Sequence, residues 1–226
     1  AQALWIFYWM AGFNSDWAES RRYGLIGAEA EGDAFGQAEI WHAQGIADAI
    51  AGRYDEALRS TEEAVRFREV VGDRRGLSVS LSNLACVHHD QGRLRQASEI
   101  YVRTAEFFHE IGDTAFEAQA LQNLGLAAAG MGRYRDAADR LAQAREMFRI
   151  APGGPMTLAL TLGGIAANAS RLGDHDRALA AATEAAAVAE EAGPKHRAEI
   201  LNTLGEIATN RGAFAGAERL VRPGHQ

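Results

Sequence analysis

Large apolar side chains return along this chain at a fixed distance. Trp41, Leu81, Leu121, Leu162 and Leu201 form one column. Three residues further on, Leu84, Leu124, Ile165 and Leu204 form a second, with Gln44 holding that place in the first copy. The next position is small in every copy: Gly45, Ala85, Gly125, Ala166 and Gly205. Spacings of three and four place the large groups on one face of a helix, beside the small column. Twelve residues after each small residue comes an alanine, at 57, 97, 137, 178 and 217. It closes a recurring turn, written most fully as Gly132-Arg133-Tyr134-Arg135-Asp136-Ala137 and again at Gly52 and Gly92, with weaker copies at Gly173 and Gly212. The leading glycines are 40, 40, 41 and 39 residues apart. A fixed period of this size predicts an array of stacked units, each burying its face against its neighbours, instead of one closed globule.

A second punctuation mark lies between the turns. Gly32-Asp33, Gly72-Asp73 and Gly112-Asp113 are again 40 residues apart. Gly supplies the left-handed residue that stops one helix, and Asp caps the next. The two marks together predict helices over residues 14–31, 34–51, 54–71, 74–91, 94–111, 114–131, 134–150, 156–172 and 175–192. Residues 151–155, Ala-Pro-Gly-Gly-Pro, replace Gly-Asp at one junction, where two prolines forbid helix continuation. A slightly longer loop is expected there, with a hinge as the other possibility. The helix after Gly173 is rich in alanine, a strong helix former whose small side chain permits close packing. The domain reading is one array over 1–226: a degenerate first repeat at 1–33, full repeats at 34–73, 74–113, 114–154 and 155–194, and a truncated last repeat at 195–226. Residues 1–11 (AQALWIFYWMA) are apolar on most of a helix circumference, which predicts an element packed on more than one side. The chain starts without Met inside this segment, so a piece of a longer protein is expected.

Composition narrows the function classes. A formal charge of −7 excludes the Lys/Arg excess expected of a nucleic-acid-binding surface. One cysteine, Cys86, forms no internal disulfide and points to a reducing, cytoplasmic setting. No apolar run is long enough to span a membrane. The chain contains no phosphate-binding G-x-x-x-x-G-K-[ST] loop, and neither a catalytic triad pattern nor paired carboxylates stand out. No cofactor is expected, and no enzyme activity. His88-His89-Asp90 invites a metal reading, but adjacent helical residues point about 100° apart and do not chelate as i,i+4 histidines do. His88 is expected to pack and Cys86 to be an inert thiol.

These units resemble the tetratricopeptide repeat, whose pattern is W-x2-L-G-x2-Y followed by Ala, an aromatic and Ala. The best matches are Leu121, Leu124 and Gly125 with Ala137, Leu141 and Ala144, and Leu81, Leu84 and Ala85 with Ala97 and Tyr101. The period departs from the usual 34 residues. The tyrosine column is filled by Asp48, His88, Ala128, Ala169 and Ala208. HEAT and armadillo arrays have longer periods, but the repeated glycine turn and the Gly/Ala pair favour the tetratricopeptide reading. The resemblance implies an all-α, right-handed superhelical solenoid of antiparallel helix pairs. Its alanine is expected to meet the small residue of the first helix where the pair crosses, Ala137 against Gly125. Forty-residue units joined by Gly-Asp also look like two groups within that family, the peptide-binding arrays of polarity adaptors and the sensor arrays of bacterial ATP-dependent transcriptional regulators, and the opening helices resemble the start of the latter.

The same resemblance implies a concave groove lined by the first helix of each unit. Its inward polar positions would be His42, Ser82, Asn83, His89, Asp90, Gln122, Asn123, Asn202, Thr203 and Asn210, with Thr209 beside them. Amides offer donors and acceptors together, which suits holding an extended peptide by its backbone. The first helices carry few Lys or Arg, so a neutral or mildly acidic groove is expected, not an anion clamp. Arg59, Arg66, Arg103, Arg140 and Arg145 on the second helices are expected to face outward. The implied role is a non-catalytic protein- or peptide-binding module in a larger regulator. Its partner is a protein or peptide segment, and its upstream domains dock on the aromatic first helix. A self-associating scaffold and an oligopeptide receptor are the alternatives.

Overall fold

A computed structural model describes residues 14–150 and 154–191. The described residues form helices and turns with no strand: α1 (Asn14–Glu31), α2 (Ala34–Ile50), α3 (Tyr54–Val71), α4 (Arg74–Asp90), α5 (Leu94–Glu110), α6 (Thr114–Gly130), α7 (Tyr134–Ile150), α8 (Gly154–Arg171) and α9 (His175–Glu191). This is an all-α tetratricopeptide-type solenoid of helix pairs. The expected helix bounds hold to within two residues, and α8 starts two residues early, taking Pro155 into its first turn, where a missing N–H is no loss. The segment 1–11, residues 151–153 of the proline junction, and everything after residue 191 lie outside the described residues.

The two punctuation marks act as the chemistry requires. Gly72 takes φ +69°, and Asp73 caps α4 by accepting a hydrogen bond from the Gly76 N–H at 2.9 Å. Asp33 does the same for α2 through Gly36 at 2.8 Å, and Asp113 for α6 through Phe116 at 3.4 Å. Gly132 adopts φ +77° between α6 and α7. Positive φ is nearly free for glycine and strained for other residues, so the turn glycines fix the period.

The chain divides into two compact units, residues 1–100 and 101–226. In unit 1 the interior is strongly polar. Alanines 38, 57, 64, 85 and 97 are buried there beside Gln44, Asp48, Ser60, Thr61, Arg68 and Ser80. In unit 2 it is mainly apolar. Ala105, Ala118, Leu121, Ala144 and Phe148 form one cluster, and Leu141, Leu162 and Ile165 meet Ala181, Ala185 and Ala189 in another. Those last alanines lie four apart, one stripe of α9 that lets the larger groups of α8 approach closely.

The helix crossing corrects the expected register. A Cβ placed on Gly125 would lie 2.8 Å from Cγ of Leu141 and 3.3 Å from Cβ of Arg140. On Gly45 it would overlap the Thr61 hydroxyl. Ala137 packs instead with Ala128 and Ala129. The small residue therefore makes room for a side chain one turn further along the second helix, and the motif alanine meets the tyrosine column.

Candidate functional site

The first helices of the two repeats in unit 1, α2 and α4, stand side by side, and side-chain hydrogen bonds run between them. His42 Nδ1 lies 3.1 Å from Ser80 Oγ, and Asn83 Nδ2 lies 3.4 Å from His42 Nε2. Burial lowers the His42 pKa below its ordinary value of about 6.5, so the ring is neutral at pH 7. Ser80 is fully buried, and its place in this line was missed in the sequence because Ser80 precedes the residues chosen as inward-facing.

The other predicted positions of unit 1 are not drawn into this line. Ser82 donates its hydroxyl to the Ser78 carbonyl one turn back, at 3.0 Å. His89 stands 3.5 Å from its neighbour Asp90, whose side chain is exposed. In unit 2, Gln119 Nε2 donates to Gln122 Oε1 at 3.3 Å and Asn123 Oδ1 at 3.5 Å. Gln122, expected to line the concave groove, is 3% exposed and so is buried in the packing instead of open to a partner. Its helix, α6, packs against both α7 and α8, so a wider arc of its surface is covered. Asn202, Thr203, Thr209 and Asn210 lie outside the described residues.

Two buried charge networks were not foreseen. Asp48, 3% exposed, accepts from Gln44 Nε2 at 2.7 Å, from Arg53 Nη2 at 2.6 Å and from Ser60 Oγ at 3.4 Å. A carboxylate with that many donors is well satisfied in the interior. Arg68, 5% exposed, bonds Glu39 of α2 and the cap residue Asp73, with its guanidinium 5.1 Å from the Phe35 ring centre. It ties two first helices to one second helix. The signal was in the columns: Arg68 shares its place with Phe108 and Phe148, both buried, so its own burial was legible there. Arg59, Arg66, Arg103 and Arg140 are exposed as expected. Arg145 is half-buried and pairs with Glu184 at 2.5 Å, joining α7 to α9.

A cleft of about 500 Å³ opens between α1, α2 and α3, with Arg21, Trp41, Asp48, Arg59 and Glu62 in its lining. None of the predicted groove residues lines it. Two of its charges pair across the lining, Arg59 with Glu56 at 3.2 Å, and Asp48 is held by Arg53 from outside it. His88 occupies the column of Asp48. Burial first, then the Arg93 charge, lower its pKa, while Glu62 raises it, and its Nδ1 is buried with no hydrogen-bond partner. Among the described residues, no helix is long and apolar enough to cross a membrane.

Helix pairs stacked at a 40-residue period, with polar side chains bridging their first helices, define an α-helical repeat array of the kind that serves as an interaction scaffold. Residues 36–108 match the family described as tetratricopeptide repeat. No curated protein sequence matches the chain. Solved structures similar to it include BtubC (BKLC) from P. vanneervenii, at 18% identity and TM-score 0.69, covering 94% of this chain and 93% of that one. A Rap protein complexed with Competence and Sporulation Factor aligns at 16% identity and TM-score 0.68, over 82% of this chain and 52% of that one. The apo form of RapI aligns at 17% identity and TM-score 0.65, over 95% and 86%. At these identities the likeness is one of fold.

Proposed function

We propose that the chain is a non-catalytic binding module that holds a protein or peptide segment along the first helices of its repeats. The line His42–Ser80–Asn83 between α2 and α4 carries this reading, because it puts ordered, neutral hydrogen-bonding groups on adjacent first helices. Neutral amides suit backbone recognition, where a cationic clamp suits a terminal carboxylate or phosphate. The likeness in fold to a Rap protein solved with a bound factor supports the same kind of use. The 40-residue units joined by Gly-Asp fit a sensor arm of a larger bacterial signalling or transcription regulator.

Random-peptide selection on the full chain tests the reading. A selected peptide is expected to lose about ten-fold or more in affinity to Asn83→Ala, with helical circular dichroism unchanged, as for a lost hydrogen bond in a partly desolvated site. Undiminished capture by Asn83→Ala and by Asn123→Ala together would remove recognition from the first helices.

A further inference from the structure

The bonds of His42 fix more than its own position. A neutral imidazole has one N–H donor and one acceptor nitrogen. The Asn83 Nδ2 group is a donor only, so the ring nitrogen it meets at 3.4 Å, Nε2, is the acceptor. The ring proton then sits on Nδ1 and is donated to Ser80 Oγ at 3.1 Å. With one Nδ2 proton on the ring, the Asn83 amide is fixed in orientation: its carbonyl Oδ1 is an acceptor in one defined position, and its second Nδ2 proton remains a donor. Turning the amide over would require the proton to move to Nε2, and Ser80 would then have to donate to Nδ1. Ring tautomer and amide orientation are one choice, made by three residues on two helices.

We infer that His42 is a positioning residue: held by Ser80 as the Nδ1–H tautomer, it orients Asn83 so that Oδ1 is held in one place as a hydrogen-bond acceptor for a donor on the partner such as the backbone N–H of an extended peptide. This rests on the groove reading above and adds a polarity to it. An asparagine left free to turn would exchange its oxygen and nitrogen between two positions and would hold no acceptor in a fixed place. His42 itself is half-buried and acts through Asn83.

Two measurements on the full chain test it. Long-range proton–nitrogen correlation of the ¹⁵N-histidine-labelled protein at pH 8, with His42 assigned by comparison with His42→Gln, is expected to show Nδ1 protonated and Nε2 not. Protonated Nε2 overturns the inference. In Ser80→Ala the proton is expected to move to Nε2 as its acceptor is lost; a purely structural role for Ser80 would leave the tautomer where it was. For the second measurement, a twelve-residue peptide selected on the unmodified chain is N-methylated at each backbone amide in turn. One N-methyl is expected to weaken binding about ten-fold in the natural chain, and about two-fold or less in Asn83→Ala. Equal penalties in both proteins overturn the acceptor assignment. Failure to select any peptide, with Nδ1 protonated, overturns the groove reading and the recognition role of Asn83 but leaves the tautomer standing.

Discussion

Positions 68 and 108 hold the same place in successive repeats, and they are filled by opposite chemistry. In unit 1, Arg68 is buried between Glu39 and Asp73, and Gly76 leaves the space its guanidinium needs, since a Cβ there would come within 2.6 Å of Nη1. In unit 2, Phe108 is fully buried, and position 116, the counterpart of Gly76, carries a phenylalanine stacked on it at 5.1 Å. The tyrosine column repeats the contrast, with Asp48 and its donors in unit 1 and Ala128 against Ala137 in unit 2. One backbone frame, set by glycine and aspartate punctuation, thus accepts a charged joint or an aromatic one. The pairs change together because each joint must fill its volume and satisfy its polar atoms at the same time.

The largest effect is expected from removing the charge at the centre of unit 1. Arg68→Ala leaves two partly buried carboxylates without their partner and should cost about 3 kcal/mol, the lower end for breaking a buried pair because both partners retain some solvent contact. Urea unfolding followed by circular dichroism reads this, and a loss below 1 kcal/mol would mean that the joint is not a determinant of unit 1. In unit 2 the comparable stress is steric. Gly125→Ala pushes a methyl group into Leu141, which is fully buried and cannot yield outward, for a loss of about 1–3 kcal/mol by the same measurement.

A change of pH should separate the units without mutation. The folded-state pKa values of His42 and His88, both in unit 1, lie below the ordinary value. The unfolded chain therefore binds more protons near and below pH 6.5, and stability present above that pH declines as the pH falls toward the folded values. Once divided by the intrinsic rate, which itself falls with pH, hydrogen exchange of α2 and α4 amides is expected to show an excess of opening at pH 5.5 over pH 7. His42→Gln and His88→Gln together should remove that excess. The smallest effect belongs to the exposed charges: Arg59→Ala breaks a pair with Glu56 that solvent already screens and should change stability by about 0.5 kcal/mol or less.

The frame was legible in the sequence because local chemistry writes it. A left-handed glycine and a capping aspartate act within a few residues of themselves, so helix bounds at Gly72-Asp73 or Gly132 needed no knowledge of what packs on what. The contents were less legible. Arg68, followed by Glu69 on an amphipathic helix, reads as one more solvated charge until its column is compared with Phe108 and Phe148. The crossing of Gly125 with Leu141 depends on the angle between two helices, which spacing along one chain does not determine. Gln122 read as a groove-lining amide because its neighbours Leu121 and Leu124 claimed the core, yet packing on α7 and α8 covers all three. At the candidate site, the sequence offered His42 and Asn83 as polar positions of the first helices, while their connection to each other and to Ser80 required the two helices to be placed together.

The exchange of one joint for the other is tested most directly by a double-mutant cycle at positions 68 and 76, read by urea unfolding of the natural chain, Arg68→Phe, Gly76→Phe and the double variant. Gly76→Phe alone forces a ring into the space held by Arg68 and should be strongly destabilising. In the Arg68→Phe background the same substitution builds the stacked pair of the next repeat, so the two changes together should cost less than their sum, by about 1–3 kcal/mol. Additivity within about 0.5 kcal/mol would contradict the claim that a charged joint and an aromatic joint are alternative fillings of one frame.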